Sequence, residues 1–165
     1  MTSLAGSMLI ARPALDDPNF AQTVVLLLQH GSEGTFGLIV NRPIHVEGFD
    51  VPLYVGGPCE MQGLFLLHGY PQWSDNTESQ GGCVASGIFL GNETIMNRLK
   101  DDPEAHPRFR VFTNYSGWGP DQLEHEISSG AWAVVPASGT KLFDIPVELL
   151  WQRLLPSTIP LPSLN

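Results

Sequence analysis

The stretch "QTVVLLLQHGSEGTFGLIVNRP", residues 22–43, carries two short apolar runs, each rich in branched residues and closed by glycine, a polar residue or proline. Runs of that length between turn signals favour buried strands over helices. The same pattern recurs on both sides, in "SMLIA" at 7–11, "LYVGG" at 53–57 and "GLFLLHG" at 63–69. "CVASGIFLG", 83–91, reads as one further strand.

The second half mixes element types. Asn92 is placed to cap a helix through "ETIMNRLK", 93–100, in which Ile95, Met96 and Leu99 share a face and which Pro103 and Pro107 stop. "RFRVFTN", 108–114, alternates as a half-buried strand. "PDQLEHEISS", 120–129, reads as a short helix with Pro120 at its first position and Gly130 just past its end. "AWAVVPA", 131–137, returns as a strand, and Asp144 with Pro146 opens a last amphipathic helix through "VELLWQRLL", 147–155. Many strands with a few helices, and no regular βαβ alternation, predict an α+β fold. No repeat and no abrupt change of charge marks a boundary, so residues 1–165 are expected to form one domain with a proline-rich tail from about 156. "SDNTESQGG", 74–82, offers turns and no core, and is the expected loose segment.

A chain of 165 residues can bury a sizeable core without disulfides or a metal. Eight Lys and Arg against 17 Asp and Glu give a net charge of −9, a sign that argues against duplex nucleic acid as a partner. Arg108 and Arg110 alternate on a predicted strand and read as a solvated face. Cys59 and Cys83 show no CxxC spacing, which leaves no zinc pattern and points to a reducing compartment. The first residues carry no positive charge ahead of their apolar stretch, and the longest apolar run, Val24 to Leu28, is far short of the ~18 residues of a membrane helix. The expectation is a cytoplasmic protein without membrane contact.

The common nucleotide and hydrolase signatures GxGxxG, GxxxxGK[ST], HExxH and GxSxG are all missing. Four clusters carry what chemistry there is. In "VGGPC", Gly56 and Gly57 either present backbone N–H groups as an anion nest or form a tight turn that Pro58 exits. Cys59 beside them is the one thiol with a catalytic neighbourhood, although nothing in the sequence brings His30, His45 or His68 to it. In "NRP", Asn41 makes a turn and Arg42 either pairs with an acidic residue or clamps a carboxylate or phosphate. On the short helix, Asp121 and His125 share a face, as do Gln122 and Glu126. Two mixed ligands fall short of the set a metal needs, and Asp121 also suits a helix N-terminus, so no metal and no cofactor is expected.

Taken in order, "SLAGSMLIARPALDDPNFAQTVVLLLQHGSEGTFGLIVNRP", "VGGPC", "FLLH", "YSGWGPDQLEHEI", "AWAVVPA" and "DIPVELLW" resemble the YqgE/AlgH family from Leu4 to about Leu155. The GWG-x-x-QLE run and the NRP and GGP turns are the most specific pieces. The resemblance implies a bifurcated sheet folded into a pseudo-barrel with a few peripheral helices. It implies no reaction, because the family is largely uncharacterised and the regulator label on some members rests on a link to alginate production. No helix-turn-helix is recognisable, so regulation would be indirect. Where the family motif usually reads GGPV this chain has Cys59, which speaks against a shared thiol chemistry. Where relatives often carry Gly-Tyr ahead of GWG this chain has Asn114 and Tyr115, and asparagine tolerates the left-handed conformation, so a backbone turn is expected at 114.

Trp118, between two glycines and just before Pro120, is then expected on a bent loop at a helix N-terminus, either packing that loop or lining a site. The expected site joins the three turns: Asn41, Arg42, Gly56, Gly57, Gly117, Trp118, Gln122 and Glu126, for a small ligand or protein partner and with no catalytic residue. The enzymatic alternative is a small hydrolase or transferase with the glycine turn as oxyanion hole and Cys59 or Ser116 as nucleophile. A purely structural role for the motif residues is the third reading.

Overall fold

The computed structural model describes residues 3–48, 51–73, 82–102 and 107–159. The first half supplies β1 (Ser7–Ala11), β2 (Val24–Gly31), β3 (Gly34–Ile39), β4 (Pro43–Ile44), β5 (Leu53–Val55) and β6 (Phe65–His68). After a single 3-10 turn at Pro71–Trp73 come β7 (Cys83–Ala85), β8 (Ile88–Leu90), α1 (Glu93–Asp101), β9 (Phe109–Thr113), β10 (Ser116–Trp118), α2 (Gln122–Ser128) and β11 (Trp132–Pro136). A π-type turn, Thr140–Asp144, leads to α3 (Val147–Leu154).

The strands form two sheets, ordered β10-β3-β2-β1-β11 and β4-β5-β9-β6-β8-β7. Every pairing is antiparallel except β5 with β9. One face of the first sheet, with Met8, Ile10, Val24, Leu26, Leu38 and Val40, packs against Tyr54, Leu67 and Phe112 of the second and against Leu150 of α3. Its other face, with Leu9, Ala11, Val25, Leu27 and Ile39, lies under Leu123 of α2. Strands covered on both faces need apolar residues at successive positions, which is why "MLIA" and "VVLL" do not alternate. The outer face of the second sheet, Leu53, Leu66 and Val111, is closed by Ile95 and Leu99 of α1.

The sheets split from one another at two crossings. The chain leaves β9 for β10 through Asn114, whose φ of 64° is the left-handed turn expected there. It leaves β3 for β4 through residues 40–42. Between the crossings Gly56 joins the sheets, donating its N–H to Thr113 and accepting from Ile39, both at 2.8 Å. The bifurcated, pseudo-barrel α+β architecture follows from these crossings and the Gly56 link between the two sheets.

Three sequence readings are corrected. "CVASGIFLG" is not one strand but the antiparallel pair β7 and β8, because Gly87 at φ 77° reverses the chain. Pro120 is not the first helical residue: Asp121 takes φ 62° at the N-cap, and α2 begins at Gln122. Arg108 and Arg110 do not form a solvated face, since both are half-buried against Phe143 of the π-type turn. The cap of α1 holds, with Asn92 Oδ1 accepting from the Ile95 N–H at 3.0 Å. The segment 74–82 lies, apart from Gly82, outside the described residues, as do 160–165 of the tail.

Candidate functional site

Trp118 ends a strand rather than riding on a loop, and it is only 5% exposed. Its indole N–H donates to Glu126 Oε1 at 3.0 Å, and the Trp132 indole donates to the same oxygen at 2.9 Å. Glu126 Oε2 accepts from Gln122 at 3.2 Å, and Gln122 Oε1 accepts the Gly119 N–H at 2.9 Å. Trp118 and Trp132 come from opposite edge strands of a five-stranded sheet. Strands at about 4.8 Å spacing would hold those edges about 19 Å apart if flat, so rings meeting at 6.2 Å require the sheet to curl around α2.

The other two turns brace this arrangement from either side. Asn41 accepts the Val24 N–H at 2.9 Å and donates to the Gln22 carbonyl at 3.0 Å. Arg42 donates to the carbonyls of Asn19 and Ala21, each at 3.0 Å. That fixes the loop before β2 so that Phe20 lies on Trp118 and Trp132, with centroids 5.8 and 5.7 Å away. Arg42 thus serves backbone carbonyls rather than an acidic side chain. On the far side, the Cys59 and Tyr115 backbones exchange two hydrogen bonds of 3.0 Å, pinning the GGP turn to the approach of β10. A Cβ at Gly57 would lie 2.2 Å from the Tyr115 carbonyl oxygen, and one at Gly56 would lie 2.5 Å from that of Asn114. Close approach of two backbones is therefore what both glycines permit.

This geometry weighs on the catalytic alternative. The Gly56 N–H is spent on Thr113, and Ser116 is fully buried with its hydroxyl donating to the Gly56 carbonyl at 2.9 Å. His30 accepts the Leu4 N–H at Nδ1, which leaves the ring proton on Nε2, 2.6 Å from Glu124. Neither ring nitrogen keeps a lone pair for a substrate proton. A hydrogen bond from its own backbone and then the one to His30 hold the Glu124 carboxyl below its usual value. Among the described residues, no three His, Cys, Asp or Glu side chains are placed to hold a metal ion.

What remains open beside Trp118 is a cleft of about 490 Å³, lined by Gln29 to Phe36 of the β2–β3 hairpin and by Trp118 itself. Gln29, Ser32 and Glu33 are exposed around it. Of the expected site residues, the structure thus gathers Gly117, Trp118, Gln122 and Glu126 at one place, with Asn41, Arg42, Gly56 and Gly57 behind as braces. The hairpin was missed because its "HGSEG" tip reads only as a turn. No motif marks it.

The sequence profile of the DUF179, AlgH-like family matches residues 8–159. The chain belongs to this family. A UPF0301 protein of Desulforapulum autotrophicum is 35% identical over 172 residues, covering 92% of this chain and 87% of the relative. One from Nitrosococcus oceani is 32% identical over 167 residues, covering 87% and 83%. Among solved structures, a protein of Corynebacterium diphtheriae superposes with a TM-score of 0.74 at 26% identity, over 97% of this chain and 91% of the other. The solution structure of AlgH from Pseudomonas aeruginosa gives 0.67 at 28% identity, over 89% and 84%. The two solved structures share this chain's fold, and the names of all four relatives state no reaction. Among the described residues, no helix is long and apolar enough to cross a membrane.

Proposed function

We propose that this chain is a non-catalytic binding protein with an indirect regulatory role, its small ligand or protein partner seated in the cleft between the β2–β3 hairpin and Trp118. The observation that carries the reading is the rigidity of one wall. Trp118 is fixed by Glu126, Phe20 and the braced strand β10, yet its neighbours Gln29, Ser32 and Glu33 present unspent polar groups across an open space. A preformed surface of this kind binds without the entropy cost of ordering itself. The polar side chains best placed to act as base or nucleophile, His30 and Ser116, are consumed by internal hydrogen bonds, which favours binding over turnover.

Native mass spectrometry of protein purified gently from cell extract tests this, with Ser32→Trp alongside. Ser32 is exposed at the hairpin tip, so an indole there fills the cleft without entering the core. A bound small molecule or polypeptide present on the wild type and lost from the variant is the expected result. A mass retained equally by both proteins would place the binding elsewhere and sink the proposal.

A further inference from the structure

The lining of the cleft beside Trp118 has a chemical bias. Glu33 stands on its wall, and none of the chain's eight lysines and arginines does. His30 brings no donor to the cleft, because its Nε2 proton goes to Glu124. Behind His30, the hydrogen bonds that hold the Glu124 carboxyl below its usual value keep it ionised at neutral pH. Unpaired carboxylates are ordinary on the surface of an acidic chain. A carboxylate on the wall of a 490 Å³ cleft with no lysine or arginine in the lining decides which ligands can enter.

Phe36 is the aromatic side chain that the hairpin itself adds to the lining. Its ring is held by Tyr115 and Phe65, with centroids 4.9 and 5.5 Å away, and it is only half-buried. Its cross-strand neighbours are Gln29 of β2, which is exposed, and Gly117 of β10, which has no side chain to lay over the ring. A methyl group at 117 would find its nearest atom 3.5 Å away on Tyr115, so that flank is open. Gly34 sets the hairpin close against β10: a Cβ there would lie 2.6 Å from the Trp118 carbonyl oxygen, an approach that glycine permits. Carboxylate and ring therefore sit on one braced hairpin, Glu33 three residues ahead of Phe36.

We propose that this cleft takes an organic cation, its charged group on the Glu33 carboxylate and its apolar body against Phe36. The assignment rests on the cleft being the binding site and adds the class of its occupant. A flat amidinium or guanidinium suits both walls, donating in a fork to the carboxylate and lying on an aromatic face. An anion would enter against Glu33, Glu124 and a net charge of −9. The source is either a free small cation or an arginine side chain of a polypeptide, which share this chemistry.

The test is NMR of the backbone amides of the full chain, titrated at constant ionic strength with benzamidine, its neutral and anionic counterparts benzamide and benzoate, and blocked arginine and citrulline amides. Saturable shifts at residues 29–36 and Gly117 are expected with the cations, about fivefold or more tighter than with the matched neutral or anionic probe. A loss of about fivefold or more is expected in Glu33→Gln, which keeps the shape of an exposed side chain and removes its charge. Preference for benzamidine indicates a small cation, and preference for blocked arginine a polypeptide side chain; both support the assignment. No saturable shift with either cation, equal binding of a neutral or anionic counterpart, or undiminished affinity in Glu33→Gln overturns it. The cleft reading fails separately: benzamide or benzoate saturating the same amides would keep the cleft and end only the cation assignment, whereas cation binding retained in Ser32→Trp would remove both.

Discussion

Gly57 in the GGP turn and Gly117 in strand β10 meet opposite surroundings. A methyl group at Gly57 would meet the Tyr115 carbonyl oxygen at 2.2 Å and Ser116 Oγ at 2.3 Å, and neither atom can retreat because the Cys59–Tyr115 pair and the Ser116–Gly56 bond hold them. At Gly117 the nearest atom would be a Tyr115 ring carbon at 3.5 Å, an ordinary contact. Gly57→Ala should therefore cost about 2 kcal/mol or more, in the range of overpacked sites. Gly117→Ala should stay within about 0.5 kcal/mol, as exposed substitutions do. Urea unfolding midpoints of the two variants check this, and equal midpoints would remove steric approach as the reason for Gly57. The sequence showed both glycines but not their causes, because the backbone that crowds Gly57 is far away in the chain. At Asn114 the cause was local, a left-handed turn, and there the residue type alone disclosed it.

At the scale of elements, α2 has seven residues, too short to persist on its own in water. It is anchored by Leu123, buried under the first sheet, and by Glu126, whose single oxygen Oε1 receives indole N–H groups from both edge strands. Glu126→Leu leaves two largely buried donors without an acceptor, at about 1–3 kcal/mol each. The expected outcome is a loss of about 2–5 kcal/mol, with two of the four tryptophan indole N–H resonances moving together in an NMR spectrum. Gln122→Ala, at an exposed position, should be far milder. Resonances that stay in place in Glu126→Leu would show that the helix is held by Leu123 alone. The helix was legible from its spacing and its following glycine. Its start was not, because the left-handed Asp121 is a response to the preceding strand and leaves no compositional trace.

For the molecule as a whole, the apolar runs disclosed strands, and their failure to alternate reflects burial on both faces in an α2, sheet, sheet, α1 stack. Which strand pairs with which was beyond the sequence, since partners such as β1 and β11 meet only through the tertiary fold. The stack also buries a histidine on the face of the second sheet opposite the main core. His68 is fully buried beside Phe89, Tyr70 and Trp73, accepts the Tyr70 N–H at Nδ1, and keeps a proton on an Nε2 that meets no partner. Burial pushes its pKa from 6.5 down to about 4. Well above pH 6.5 both folded and unfolded chains hold His68 neutral, and it adds no pH dependence. Between about pH 6.5 and 4 the unfolded chain binds the proton and the folded one does not, so stability falls as pH falls. The full loss is reached near pH 4 and amounts to about 3 kcal/mol at most. Many carboxylates titrate near the lower end, so the informative quantity is the difference between wild type and His68→Phe, which keeps an aromatic ring and cannot ionise. Urea unfolding at a series of pH values should show wild type losing stability relative to the variant as the pH drops through this window. Parallel curves would mean that the folded protein takes up the His68 proton as readily as the unfolded chain.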